Sequence, residues 1–217
     1  MELVKRHLLL SKLDLAVEAG AVAGLWAVVE LIALVAQRLM GETVYVSVGG
    51  AAAMVVGMFL EWFLCTARWY SSFPLGLSMG RTRRCMAGLV WLESALHLAA
   101  VWGVIMLLAA LGGPIGGLAG FAGCLNPLLA LPAWLWPLVL AGVLLSSFGS
   151  GMLLLALGQK GFWVLWAVWM AFPVGMNFDL GPVLAPLAAV LLAAGVLVLA
   201  GWLAWAFWYS LRRVCVR

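Results

Sequence analysis

Charge is what this sequence has least of: Asp, Glu, Lys and Arg together make up 9% of its 217 residues, against 67% hydrophobic. A water-soluble domain of that size would lack the polar material to cover its own surface, so lipid is left to do the covering. Alternation is also missing. A transmembrane β-barrel would give ~10-residue stretches swapping apolar and polar positions between turns, and none is present. The four cysteines, Cys65, Cys85, Cys124 and Cys215, stand alone, with no Cys-x-x-Cys pair and no histidine at metal spacing, so neither a metal site nor a cofactor is expected. There is no Gly-Lys pair, hence no P-loop, and no His-Glu-x-x-His. Catalysis by this chain is not expected.

What is there is a series of apolar runs, each near the ~20 residues that cross ~30 Å of hydrocarbon as a helix. The pattern predicts an all-α integral membrane protein with about six transmembrane helices, at about 15–39, 44–67, 86–111, 138–157, 162–176 and 183–210. Residues 1–14 mix Lys5, Arg6 and Lys12 with leucines and have no cleavage site at signal-peptide distance, so they are expected to remain in place. Residues 68–85 are polar and basic and predict an internal loop. Residues 112–137 carry no charge, many glycines and four prolines. They predict an external or re-entrant segment, because irregular backbone at membrane depth needs protein or a wet cavity around it.

Lysine and arginine placement orients the chain. With both termini inside, the cytoplasmic side receives eleven basic residues and the outside only Arg38. Because these residues sit at span ends rather than in one aromatic-interleaved patch, no nucleic-acid partner is expected. Tryptophans at 163, 166 and 169 and at 202, 205 and 208 suit interfacial belts.

Four carboxylates fall inside the spans: Glu18, Glu30, Glu61 and Glu93. Each is costly near mid-bilayer, so Glu30, Glu61 and Glu93 are intramembrane polar candidates. Glu18 lies close to the inner boundary, where a solvated face explains it. His97 is four residues from Glu93, a spacing at which the two can pair on one helical face. The spacings Gly20 with Gly24, Ala53 with Gly57 and Ser147 with Gly151 let helix backbones approach, inside one bundle or between copies.

The most informative stretch is Phe73-Pro74-Leu75-Gly76-Leu77-Ser78-Met79-Gly80-Arg81-Thr82-Arg83-Arg84, directly before a span. It resembles the first cytoplasmic loop of small permease subunits of ABC-2-type exporters; the turn Gly158-Gln159-Lys160-Gly161 and the ending Trp208-Tyr209-Ser210-Leu211-Arg212-Arg213 are similar to that group as well. The resemblance implies an interfacial helix over 1–14. It also implies a loop in which Phe73, Ser78, Gly80, Arg81, Thr82, Arg83 and Arg84 couple to a separate ABC-type ATPase subunit, and pairing with a second permease copy or a similar chain. One departure is the irregular apolar segment, which falls between spans three and four rather than between five and six. The alternatives are a proton-coupled secondary transporter using Glu30, Glu61, Glu93 and His97, and an accessory or scaffold subunit without a transport path.

Overall fold

A computed structural model describes residues 12–176 and 188–212. The expected interfacial helix at 1–14 therefore lies almost wholly outside the described residues, as do most of the link between the last two spans and the basic residues beyond Arg212. The described residues form six helices and two short strands: α1 (Lys12–Leu39), β1 (Val44–Val46), α2 (Gly49–Ser78), α3 (Arg83–Leu118), β2 (Gly123–Leu125), α4 (Leu135–Leu157), α5 (Gln159–Met176) and α6 (Ala188–Arg212).

Five of the helices hold stretches long and apolar enough to cross a bilayer: Asp14–Leu39, Gly49–Ser78, Arg83–Leu118, Leu135–Leu157 and Gly195–Arg212. Large apolar side chains such as Val17, Leu31, Ile32, Val55, Leu107 and Val168 point outward. Exposed apolar surface of that extent fits a helical membrane protein, with lipid as its solvent. Helix α5 stands at the fifth expected span but is not among the five. Its 18 residues include Gln159 and Lys160.

Two expectations need correction. The basic loop expected over 68–85 is mostly helix, since α2 runs through Ser78 with Pro74 inside it and α3 begins at Arg83. Proline in a helix removes one hydrogen bond without ending the helix when the surroundings hold it. The segment expected to be irregular over 112–137 likewise begins as helix, since α3 continues to Leu118 through Pro114. Two of its glycines serve contact there rather than breakage. A Cβ on Gly112 would collide with the Ser47 side chain, and one on Gly116 would lie 2.7 Å from Tyr45 Cδ1, so these two positions admit β1 against the helix.

The chain divides into two compact units: Met1–Leu64 with Trp91–Leu144, and Cys65–Val90 with Leu145–Arg217. In the first, Val22, Trp26, Ala53, Met58, Leu98, Val101, Ile105, Ala109, Leu128 and Trp136 form the buried core. Strands β1 and β2 pair in parallel there, Val44 with Gly123, Tyr45 with Cys124 and Val46 with Leu125. The pairing is extended by Ser47 N–H to the Leu125 carbonyl at 2.9 Å and Ala122 N–H to the Thr43 carbonyl at 2.9 Å. Asn126 then donates through Nδ2 to the Ala109 carbonyl at 2.6 Å and accepts through Oδ1 from the Leu128 and Leu129 amides. The irregular backbone of 119–134 thus finds its partners within protein, as low-dielectric surroundings require.

In the second unit, Trp69 packs on Phe73 and Phe148 at ring separations of 5.6 and 4.8 Å, and Phe148 on Phe207 at 4.7 Å. Gly151 sits directly against Trp69, and Thr66 Oγ1 donates to the Ser147 carbonyl at 3.4 Å. The Ser147 and Gly151 spacing therefore serves close packing inside the unit.

Candidate functional site

The buried face of α1 sets out the polar chemistry of the first unit. Glu18, Val22, Trp26 and Glu30 recur every four residues and all are buried, so one helical stripe carries two carboxylates about 18 Å apart along the axis.

At one end of this stripe, Glu30 Oε1 accepts from Ser47 Oγ at 2.6 Å and Oε2 accepts from the Gly49 amide at 2.7 Å. Gly49 opens α2, whose first amides have no partner within their own helix. A carboxylate suits that position in both charge and hydrogen bonding. The Tyr45 hydroxyl donates to the Glu30 carbonyl at 3.3 Å. Burial, reinforced by the neighbouring Glu30, pushes this hydroxyl well above its usual range, so it stays a donor. Burial likewise raises the Cys124 thiol. Glu30, one of the expected intramembrane candidates, is therefore a helix cap.

At the other end, His97 Nδ1 on α3 lies 3.2 Å from Glu18 Oε2 on α1. Glu61 on α2 completes a cluster in which one ligand-capable atom from each residue lies within 4.8 Å of the others. The three side chains are 5%, 3% and 1% exposed, respectively for Glu18, His97 and Glu61, so none is solvated. His97 thus has a partner on another helix, and one expectation is corrected: Glu18 is buried rather than on a wet face. Glu93 is buried too. Sequence reasoning passed over Glu18. The available signal was its four-residue phase with Val22, Trp26 and Glu30.

In the second unit, each residue of the turn between α2 and α3 has a local reason. Gly80 has φ +79°, its amide bonds to the Leu77 carbonyl at 3.0 Å, and the Arg81 amide bonds to the Gly76 carbonyl at 3.2 Å. This is the paired arrangement that ends helices at a left-handed glycine. Thr82 Oγ1 accepts from the Cys85 amide at 3.3 Å and so caps α3. Replacing Gly80 with alanine is expected to cost about 1 kcal/mol, because a side chain disfavours positive φ; thermal unfolding in detergent checks it.

The arginines of this turn differ in employment. Arg83 Nη1 donates to the Leu211 carbonyl at 3.0 Å, near the carboxyl end of α6, where carbonyls lack helical partners. Arg81 Nη1 lies 3.6 Å from Met86 Sδ. Arg84 is exposed, as are Ser78, Gly80 and Thr82, while Phe73 is buried among aromatics. Gly76-Leu77-Ser78-Met79-Gly80 also spells the Gly-x-Ser-x-Gly of hydrolase elbows. That motif needs a strand-to-helix turn, whereas here it closes a helix and Ser78 Oγ donates to the Leu75 carbonyl at 2.7 Å.

Comparison of the chain with family models, curated proteins and solved structures gave no significant match.

Proposed function

We propose that this chain is the membrane-spanning permease subunit of an ABC-2-type exporter in the cell membrane. In this reading it makes six crossings, keeps both termini cytoplasmic, pairs with a second copy or a similar chain, and is energised by a separate ATPase subunit. The observation that carries the reading is the α2–α3 hairpin. With 30 and 36 residues, its helices are about 45 and 54 Å long, well beyond the ~30 Å of hydrocarbon. The surplus length, together with the eleven-to-one distribution of basic residues, suits a hairpin end that stands clear of the cytoplasmic face and presents Arg84 to a partner. Gly80 and Thr82 then shape the turn, Arg83 ties it to α6, and Arg84 is the contact residue.

The test is co-expression with a neighbouring ATPase gene, co-purification, and ATP-driven transport in vesicles. Arg84→Glu is expected to lower coupled transport roughly tenfold, the effect of about 1.4 kcal/mol at a docking contact, with unfolding temperature unchanged. Arg83→Ala is expected to lower the unfolding temperature as well. A chain that never retains an ATPase, or transport that an uncoupler alone abolishes, would overturn the proposal, and the second result would favour a proton-coupled carrier.

A further inference from the structure

We propose that Glu18, Glu61 and His97 form a binding site for one divalent transition-metal ion of the zinc, iron or manganese class. This goes beyond the permease reading and does not depend on it.

The first argument is charge. Two carboxylates and one imidazole are all more than nine-tenths buried and lie within 4.8 Å of one another. Two carboxylates held this close together away from water repel each other unless a positive group lies between them. A divalent cation satisfies the set. Its ligands come from three different helices, α1, α2 and α3, which is how metal sites are built inside helical bundles.

The second argument is distance. Bonds of about 2.0 Å to a tetrahedral ion place neighbouring donor atoms about 3.3 Å apart. His97 Nδ1 and Glu18 Oε2 are 3.2 Å apart, already at that spacing. Glu61 has only to draw in by a side-chain adjustment from its place within 4.8 Å.

The third is the donor set. One imidazole nitrogen and two carboxylate oxygens suit zinc, iron(II) or manganese(II). They offer no sulfur for copper(I) and too few oxygens for calcium. Ser94 lies one turn before His97 on α3, is fully buried, and its Oγ has no hydrogen-bond partner among the described residues. At this i, i+3 spacing it shares a helix face with His97, where a metal-bound water would find it. No metal was expected from the isolated cysteines and the want of histidines at metal spacing, whereas the fold gathers one histidine and two carboxylates from separate helices.

The test uses the full chain, untagged, purified in detergent, stripped with a chelator and titrated separately with zinc, manganese and magnesium. Metal retained after desalting is measured by elemental analysis, and the unfolding midpoint is followed alongside. About one zinc or manganese per chain is expected, with a midpoint that rises with metal concentration and is indifferent to magnesium. Glu61→Gln and His97→Gln should each weaken binding at least tenfold, and Glu93→Gln should leave it unchanged. If His97→Gln does not fold, Glu61→Gln decides alone. No retained metal and no shift in the midpoint would overturn the proposal and leave a hydrogen-bonded ion cluster. Binding that persists undiminished in Glu61→Gln would overturn it too, placing the metal elsewhere on the chain.

Discussion

Replacing Glu30 with alanine is expected to lower the unfolding midpoint of the detergent-solubilised protein by about 10 °C. Two hydrogen bonds to a carboxylate, from Ser47 Oγ and the Gly49 amide, vanish together, and both donors are left without water in a buried site. Bonds to a charged group contribute roughly 1.5–3 kcal/mol each, and in a chain this long each kcal/mol moves the midpoint by about 2–4 °C. Glu30→Gln should recover most of the loss, because its carbonyl still accepts from Gly49 while its amide can donate to Ser47 Oγ. Thermal melts of the three proteins separate the outcomes. If alanine is neutral, Glu30 does not hold the start of α2. If glutamine keeps the midpoint but abolishes transport, the carboxylate has a role beyond capping.

Gly151→Val should be the most damaging single change in the second unit. A Cβ there would overlap the Trp69 side chain and lie 3.2 Å from the Thr66 carbonyl oxygen, and Trp69 is itself fully buried between Phe73 and Phe148. With no far end of a flexible chain to give way, the helix has to shift. Overpacking of this kind costs about 1–3 kcal/mol, with the larger figure expected where the obstacle is a tryptophan stem. The comparison is Gly20→Val or Gly24→Val, positions at which an added Cβ meets nothing within 4 Å. Their melting temperature should be unchanged, the usual result for a substitution that touches nothing. A fall in the dimer fraction by light scattering in those variants would put a second copy on that face of α1.

Much of the architecture was legible because hydrocarbon imposes a length and a composition, and both can be read from one sequence. The failures have physical causes. Pro74 and Pro114 read as breaks, yet a helix already fixed by its neighbours survives the loss of one bond, so α2 and α3 outrun the expected boundaries. The glycines at 112 and 116 read as breakers when they are clearances for Ser47 and Tyr45, a distinction that depends on which strand lies against them. At the polar sites, burial could be anticipated for Glu30 and Glu61, but partners could not. Glu18 and His97 are 79 positions apart, and nothing local in the sequence joins them.

The pairing of β1 with β2 imposes an order of events on biosynthesis. Val44 emerges from the ribosome 79 residues ahead of Gly123, its partner, and two long helices separate them. Until α3 has been made and placed, the first link has no strand to bond with and its backbone amides must be kept wet. The parallel pair is therefore a late fastening, since contacts so distant along the chain form only after loop closure. An arrested nascent chain ending near Leu118 should leave Cys124's partner Tyr45 open to labelling or digestion from the far side, and a chain extended past Leu135 should protect it.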